Sequence, residues 1–258
     1  MSTSDAHARW LQGSAALCGP VESIPNAYNL ILLGAPGVGK GTQADLLRRR
    51  LGACHLSTGD VFRAASKSQH DLSPAMMTAT EYMRRGELVP DSTVWEMVRE
   101  RSGCLHCGGG FILDGFPRTL GQAESLRQLM REERIALTAV VNYDLPTTEI
   151  VARLSGRRTC EKCKAVFHIT ERPSKNVDHC DRCGGKLFQR DDDRAESIQV
   201  RLEAYERSTA PLISFYGNLG LLISIPASGT PDEIYDQTII QLKARMEGSG
   251  RLIPEARD

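Results

Sequence analysis

The chain has 258 residues, enough to bury a full core as one domain or as one domain carrying inserts. Lys plus Arg and Asp plus Glu each number 32, so no global field recruits nucleic acid or an anionic membrane. No apolar run approaches a bilayer span, and the N-terminal MSTSDAHARWLQGSAALCGP lacks the cationic start and apolar stretch of a secretion signal.

In chain order, residues 1–27 read as a loosely packed extension. They hold Arg9 against Asp5 and Glu22, unlike the Arg-rich, acid-poor composition of a mitochondrial transit peptide. Leu30 to Leu33 then forms an apolar run that enters GAPGVGKGTQ, residues 34–43. A short His55-Leu56-Ser57 is a candidate strand. Phe111 to Leu113 ends on Asp114, Ala139 to Val141 ends near Asp144, and Leu221 to Ile225 closes the series. Runs that are continuous rather than alternating predict strands covered on both faces, hence a parallel sheet with crossover helices. The expectation is an α/β, doubly wound, five-stranded parallel sheet. Ligands of such sheets lie beyond the carboxyl ends of the strands, where Gly34, Ser57 and Asp114 fall.

The loop at 34–43 nearly matches G-x-x-x-x-G-K-[ST], with Gly34, Gly39 and Lys40 in register. Its glycines let backbone N–H groups turn inward, and a helix expected to start near Thr42 adds its positive end to the same anion site. Lys40 is expected to reach the β- and γ-phosphates of a nucleotide. Where the pattern has a magnesium-ligating hydroxyl, this chain has Gly41, and the hydroxyl follows on Thr42. Magnesium retains several waters, so carboxylates that hold those waters can replace the direct ligand. Asp60 and Asp114 are the candidates.

Cys104-x₂-Cys107, with His106 between, precedes the Phe111 strand and is therefore expected at the edge of the sheet opposite the active site, as two reduced cysteines in an insert loop. Further on, CEKCKAVFHITERPSKNVDHCDRC holds two knuckles, Cys160-x₂-Cys163 and Cys180-x₂-Cys183, with 16 residues between them. This is the spacing of a tetrahedral Cys₄ site for zinc, with iron as the other candidate metal. The alternative, paired disulfides, fits an oxidising compartment. His168 and His179 lie nearby, but four sulfurs fill the tetrahedron, so both histidines are expected to pack or hydrogen-bond.

GAPGVGKGTQA, LSTGDVFRAA at 56–65, FILDGFPRT at 111–119, RLSGRR at 153–158, and QRDDD, RLEAY and TAPL between 189 and 212 together resemble the adenylate kinase family. The resemblance runs from about residue 29 to 243 and departs at both termini and near residues 103–109. It implies transfer of the γ-phosphoryl of ATP to AMP, giving two ADP, with Mg²⁺ on the ATP. It divides the chain into an extension (1–27), a kinase domain (28–245) and a tail (246–258). Within the domain it implies an AMP-binding arm (57–89) and a zinc-binding lid (153–190).

By the same resemblance, Lys40, Arg118, Arg153, Arg157, Arg190 and Arg201 are phosphate-contacting catalytic residues. Gly37, Val38, Gly39, Lys40, Gly41, Thr42, Arg153, Arg157, Val166, Phe167 and Pro231 are expected on ATP. Thr58, Arg63, Glu87, Leu88, Val89, Gly115, Phe116, Pro117, Arg118, Gln122, Arg190 and Arg201 are expected on AMP. Arginine suits this work because it grips phosphate oxygens bidentately and stays charged. Residues 157–190 hold nine Lys or Arg against four Asp or Glu, so the lid stays cationic around a Zn(Cys)₄ centre of about −2.

The resemblance also implies AMP over pyrimidine monophosphates through Thr58, where related pyrimidine monophosphate kinases have a smaller residue. Gln122 alone does not separate a 6-amino from a 6-oxo base, because an amide can turn over. Kinases of other monophosphates and GTP donors remain open. A zinc ribbon also permits a nucleic-acid-binding ATPase, but this ribbon offers only Phe167 and Phe188 for stacking, in a neutral chain. A cytoplasmic monomer that acts on ATP and AMP, away from nucleic acid and membrane, is the expectation.

Overall fold

The structure, a computed structural model, describes residues 27–65 and 74–248. The expected N-terminal extension up to residue 26, part of the expected arm (66–73) and the tail beyond Gly248 lie outside the described residues.

β1 (Tyr28–Leu33) leads through the glycine loop into α1 (Lys40–Leu51). Gly52 ends that helix in the left-handed region (φ 72°), its N–H donating to the Arg48 carbonyl, a conformation glycine adopts without strain. β2 (Cys54–Ser57), α2 (Thr58–Ala65), α3 (Pro74–Arg84) and α4 (Asp91–Glu100) follow. A 3₁₀ turn at Ser102–His106 precedes β3 (Gly110–Asp114) and α5 (Leu120–Glu132). β4 (Ala139–Asp144) and α6 (Thr147–Gly156) lead to the small strands β5 (Arg157–Cys160), β6 (Val166–His168) and β7 (Leu187–Phe188). The chain returns through α7 (Ala195–Ala204), a π-helical turn at Tyr205–Thr209, α8 (Pro211–Asn218), β8 (Leu222–Pro226) and α9 (Pro231–Gly248).

The main sheet has five parallel strands in the order β2-β3-β1-β4-β8. Side chains alternate across a strand, and both faces are covered. Leu30 and Leu32 of β1 join one buried cluster with Val141, Ile150, Ile234 and Leu242; Ile31 and Leu33 join the other with Phe62, Leu113, Leu126 and Leu212. Each such side chain, fully buried, contributes about 1.5–3 kcal/mol. The edge strand β8 departs from the expected pattern, since its burial alternates and Ser224 and Pro226 face outward. With a neighbour on one side only, it is not enclosed on both faces as β1 is. The last helix runs to Gly248, three residues beyond the expected domain end, because Leu242 and Met246, one turn apart, both enter the core.

Register places Leu32 beside Asp114 and Ser57 beside Asp114. The glycine loop, the start of α2 and the tip of β3 therefore meet at one end of the sheet. Cys104 and Cys107 lie before β3, towards its opposite end, as expected. They occupy a 3₁₀ turn and its end rather than an open loop, and both are buried, Cys104 within the core.

Among the described residues, no helix is long and apolar enough to cross a membrane.

Candidate functional site

Gly34 has φ 131°, and a Cβ there would stand 2.4 Å from the Tyr143 carbonyl oxygen, so the loop closes on β4 only with glycine at this position. Gly39 (φ 99°) caps α1, which starts at Lys40, two residues earlier than expected. Lys40 does not extend into open space here; its ammonium donates to the carbonyls of Gly34 (2.6 Å) and Ala35 (2.8 Å). Its enclosure pulls its pKa down to about 7; Asp114 opposes this, while Arg118, Arg201 and Arg157 add to it. A Cβ on Gly41 would lie 3.7 Å from Asp114 Oδ2, so the missing hydroxyl leaves room directly beside that carboxylate.

Asp60 ends its first-turn interaction on Arg63 (2.6 Å). Burial would raise its pKa, but the Arg63 guanidinium outweighs that and holds it well below the usual carboxylate range. Asp114 is likewise lowered: burial works against ionisation, and His55, whose Nε2 lies 3.2 Å from Oδ2, and Lys40 favour it. The two carboxylates act on each other electrostatically, and ionised carboxylates supply the hard oxygen atoms that suit magnesium and its waters.

The cations converge from distant parts of the chain. Arg157 grips Asp193 through two hydrogen bonds of 2.8 and 2.5 Å, and the Asp193 side chain is fully buried. Arg201 meets both Asp193 and Asp192 at 3.1 Å. Arg190 donates from Nε to Thr159 Oγ1 (3.0 Å), and Arg118 from Nε to the Gly115 carbonyl (2.8 Å). Withdrawal from solvent in the cleft comes first in lowering Arg118, to about 10, and Arg190, to about 9; next come Arg201 beside Arg118 and Arg63 beside Arg190. Both stay protonated at neutral pH. Guanidinium groups that depress one another in this way form a positive pocket whose repulsion an anion relieves.

One cleft is lined by Thr58, Arg63, Glu87, Leu88, Val89, Gly115, Arg118, Gln122 and Arg201, together with Asp192. Most of the residues expected on AMP are thus gathered. Phe116 is not among them: its ring is fully buried in the core, its centroid 6.5 Å from that of Trp95, and it precedes Pro117 through a cis bond. Arg153 stands apart from the arginine group, donating to the Ala227 carbonyl (3.1 Å). The carbonyl of Pro231, a residue expected on ATP, accepts from Gln43 Nε2 at 2.8 Å. The Phe167 side chain turns into the small core of the β5–β7 sheet with Cys160, Cys180 and Leu187, against which half-buried Ala165 also packs, so the ring is withdrawn from the outside.

Sequence reasoning missed the acidic, hydroxyl and imidazole partners: Asp91, Asp192, Asp193, Thr159 and His55. The run of three aspartates after Arg190 was the available signal. The others are long-range partners with no local pattern.

Cys160, Cys163, Cys180 and Cys183 place their sulfurs within 4.8 Å of one another. Cys160–Cys183 and Cys163–Cys180 are 3.5 Å apart, far beyond the ~2.05 Å of a disulfide. A tetrahedron with zinc–sulfur bonds of ~2.3 Å sets its sulfurs about 3.8 Å apart, so the four fit that ion.

In comparison with known proteins, the adenylate kinase family model matches residues 32–221. The adenylate kinase of Carboxydothermus hydrogenoformans is 46% identical over 206 residues, covering 80% of this chain and 95% of its own. That of Thermodesulfovibrio yellowstonii is 47% identical over 207 residues, with the same coverage. That of Archaeoglobus fulgidus is 46% identical over 204 residues, covering 79% and 92%.

Proposed function

Since the chain belongs to the adenylate kinase family and transfers the γ-phosphoryl of ATP to AMP to give two ADP, we propose that the cationic cleft at the sheet's carboxyl end performs that transfer. The observation that carries the reading is the convergence of Lys40, Arg63, Arg118, Arg157, Arg190 and Arg201, which act on one another electrostatically across that cleft. Their crowding is unfavourable until phosphate enters.

The loop from Gly34 to Thr42 and the start of α1 hold the triphosphate, with Val38 and Gly37 shaping the loop. Lys40 exchanges its two carbonyl partners for phosphate oxygens, whose negative charge favours its protonated form. The arm, residues 57–89, holds AMP: Arg63 and Arg118 grip its phosphate, and Gln122 reads its base. Arg157, Arg190 and Arg201 neutralise the phosphoryl group in flight, whose loose transition state spreads charge over its equatorial oxygens. Arg153, Val166, Phe167 and Pro231 contribute from the ATP side, the last three through the backbone. Closure of the lid, residues 153–190, excludes water, the competing acceptor.

Asp60 and Asp114 would hold magnesium through its waters, and the bound ion supplies charge neutralisation and alignment of the β- and γ-phosphates. The four cysteines would hold a structural zinc that crosslinks the lid, because they leave no open position for substrate. The protein acts in the cytoplasm as a monomer.

The test is ADP formation from ATP with AMP, CMP, UMP and GMP offered separately. We expect AMP to exceed each of the others at least a hundredfold, roughly, in kcat/KM, the scale set by leaving buried polar groups unmatched. Comparable values for UMP or CMP would overturn the reading.

A further inference from the structure

Gln122 sits at the third position of α5 and is only 4% exposed. Thr119 caps this helix, its Oγ1 accepting from the Gln122 N–H (3.2 Å). A glutamine at this position ordinarily reaches back to the cap residue's own N–H. Here the side chain reaches one residue further, and Oε1 accepts from the backbone N–H of Arg118 (2.8 Å). On its other end, Nε2 donates to Asp91 Oδ1 (2.6 Å), the first residue of α4. The second oxygen of Asp91 accepts from the Thr119 hydroxyl (2.7 Å).

The partners fix the polarity of the amide. A backbone N–H can only donate, and a carboxylate can only accept. Turning the amide over would set its NH₂ against the Arg118 N–H and its oxygen against the Asp91 carboxylate, so that a side chain only 4% exposed would face two repulsive contacts. Thr119 reinforces the arrangement, because its hydroxyl hydrogen is given to Asp91 and its lone pair receives the Gln122 N–H.

We infer that Asp91 is a specificity-determining positioning residue, which locks the Gln122 amide in the one orientation that accepts a 6-amino purine and rejects a 6-oxo purine. The inference rests on the reading of Gln122 as the contact to the acceptor base. Each end of the amide has capacity left after the lock is formed: one lone pair on Oε1 and one hydrogen on Nε2. Adenine offers a donor at its 6-amino group and an acceptor at N1, which match that pair. A 6-oxo purine offers an acceptor at position 6 and a donor at N1, the reverse. With the phosphate held by Arg63 and Arg118, the base cannot turn over to compensate. A free glutamine could turn instead, and Asp91 removes that freedom.

The experiment compares AMP with IMP, which differ at the 6-substituent and the N1 proton alone. Wild type, Asp91→Asn, Asp91→Ala and Gln122→Ala are each assayed with both acceptors, and the readout is the ratio of the two kcat/KM values. Both acceptors are measured on one preparation, so the ratio is insensitive to the fraction of folded enzyme. In Asp91→Asn, the new amide can present either its oxygen or its NH₂ to Gln122, so without loss of volume only the Arg118 N–H is left to favour one orientation. We expect the AMP-to-IMP ratio to fall about tenfold in both Asp91 variants, the worth of one to two polar contacts, and at least as far in Gln122→Ala. A purely structural role for Asp91, as the acid at the start of α4, would lower both kcat/KM values together and leave the ratio at its wild-type value. That result, with the ratio collapsed in Gln122→Ala, would overturn the lock while leaving Gln122 as the base contact. An unchanged ratio in Gln122→Ala as well would overturn the base reading and the lock together.

Discussion

Replacing Arg118 by alanine should lower kcat about 10³-fold, the scale of losing a preorganised charge on a transferring phosphoryl group. The side chain lines the cleft and not the core, so its removal leaves no void in the core and no unpaired buried carboxylate. Its placement is set by the backbone: the Arg118 N–H donates to Gln122, and its carbonyl accepts from Thr209 Oγ1 (2.9 Å) in the π-helical turn. These bonds survive the substitution, so thermal stability should change by no more than about 0.5 kcal/mol. Arg118→Lys should recover only part of the loss, since an ammonium is a point charge and cannot grip two oxygens in the plane of a guanidinium. Steady-state rates with saturating ATP and AMP, alongside a melting curve, check this. A variant within tenfold of wild type would remove Arg118 from the transfer step.

The double substitution Cys160→Ser, Cys163→Ser should release one zinc per chain and loosen the lid before the core. The apolar cluster of the β5–β7 sheet is small, made of Cys160, Phe167, Cys180 and Leu187, and two of these four belong to the four-cysteine cluster that would hold the metal. So little buried surface cannot hold three short strands alone, and metal-binding free energy is then folding free energy for the segment. If about 3 kcal/mol of stabilisation is lost, the melting temperature falls by roughly 6–12 °C. Arg157 and Arg190 lie at the two roots of this sheet and would lose alignment as it melts, whereas Lys40 and the main sheet stay in place. Turnover should therefore persist at low temperature and fail early on heating. Metal analysis, melting curves and rates at two temperatures distinguish the outcomes. Unchanged zinc content and melting temperature would contradict the assignment, and complete loss of turnover with the lid still ordered would point to a direct catalytic role for the metal.

The parallel sheet was legible because enclosure on both faces leaves a continuous apolar run, as in Leu30 to Leu33. β8 obeyed a different rule: an edge strand alternates, yet Leu221 to Ile225 looks continuous because Ser224 is its sole polar residue. The loop and the cysteine knuckles were legible because phosphate and zinc each demand fixed spacings within a short segment. What stayed hidden was the set of acidic partners. Asp193 is 36 residues from Arg157, and Asp91 is 31 from Gln122, so neither pairing leaves a local pattern. The orientation of the Gln122 amide was open for the same reason, since nothing beside it in sequence tells which end meets a carboxylate. The sequence pattern has Lys40 reaching outward, whereas its ammonium is held by the carbonyls of Gly34 and Ala35 in its own loop.

A crystal structure with AMP and a non-hydrolysable ATP analogue tests the central claim most directly, that one cationic cleft aligns donor and acceptor phosphates. The account predicts the AMP phosphate within hydrogen-bonding distance of Arg63 and Arg118, the triphosphate on Lys40 and the loop N–H groups, and Arg157, Arg190 and Arg201 around the γ-phosphate between them. AMP bound outside the cleft of Thr58, Arg63 and Gln122, or a γ-phosphate out of reach of these arginines with both nucleotides present, would contradict it.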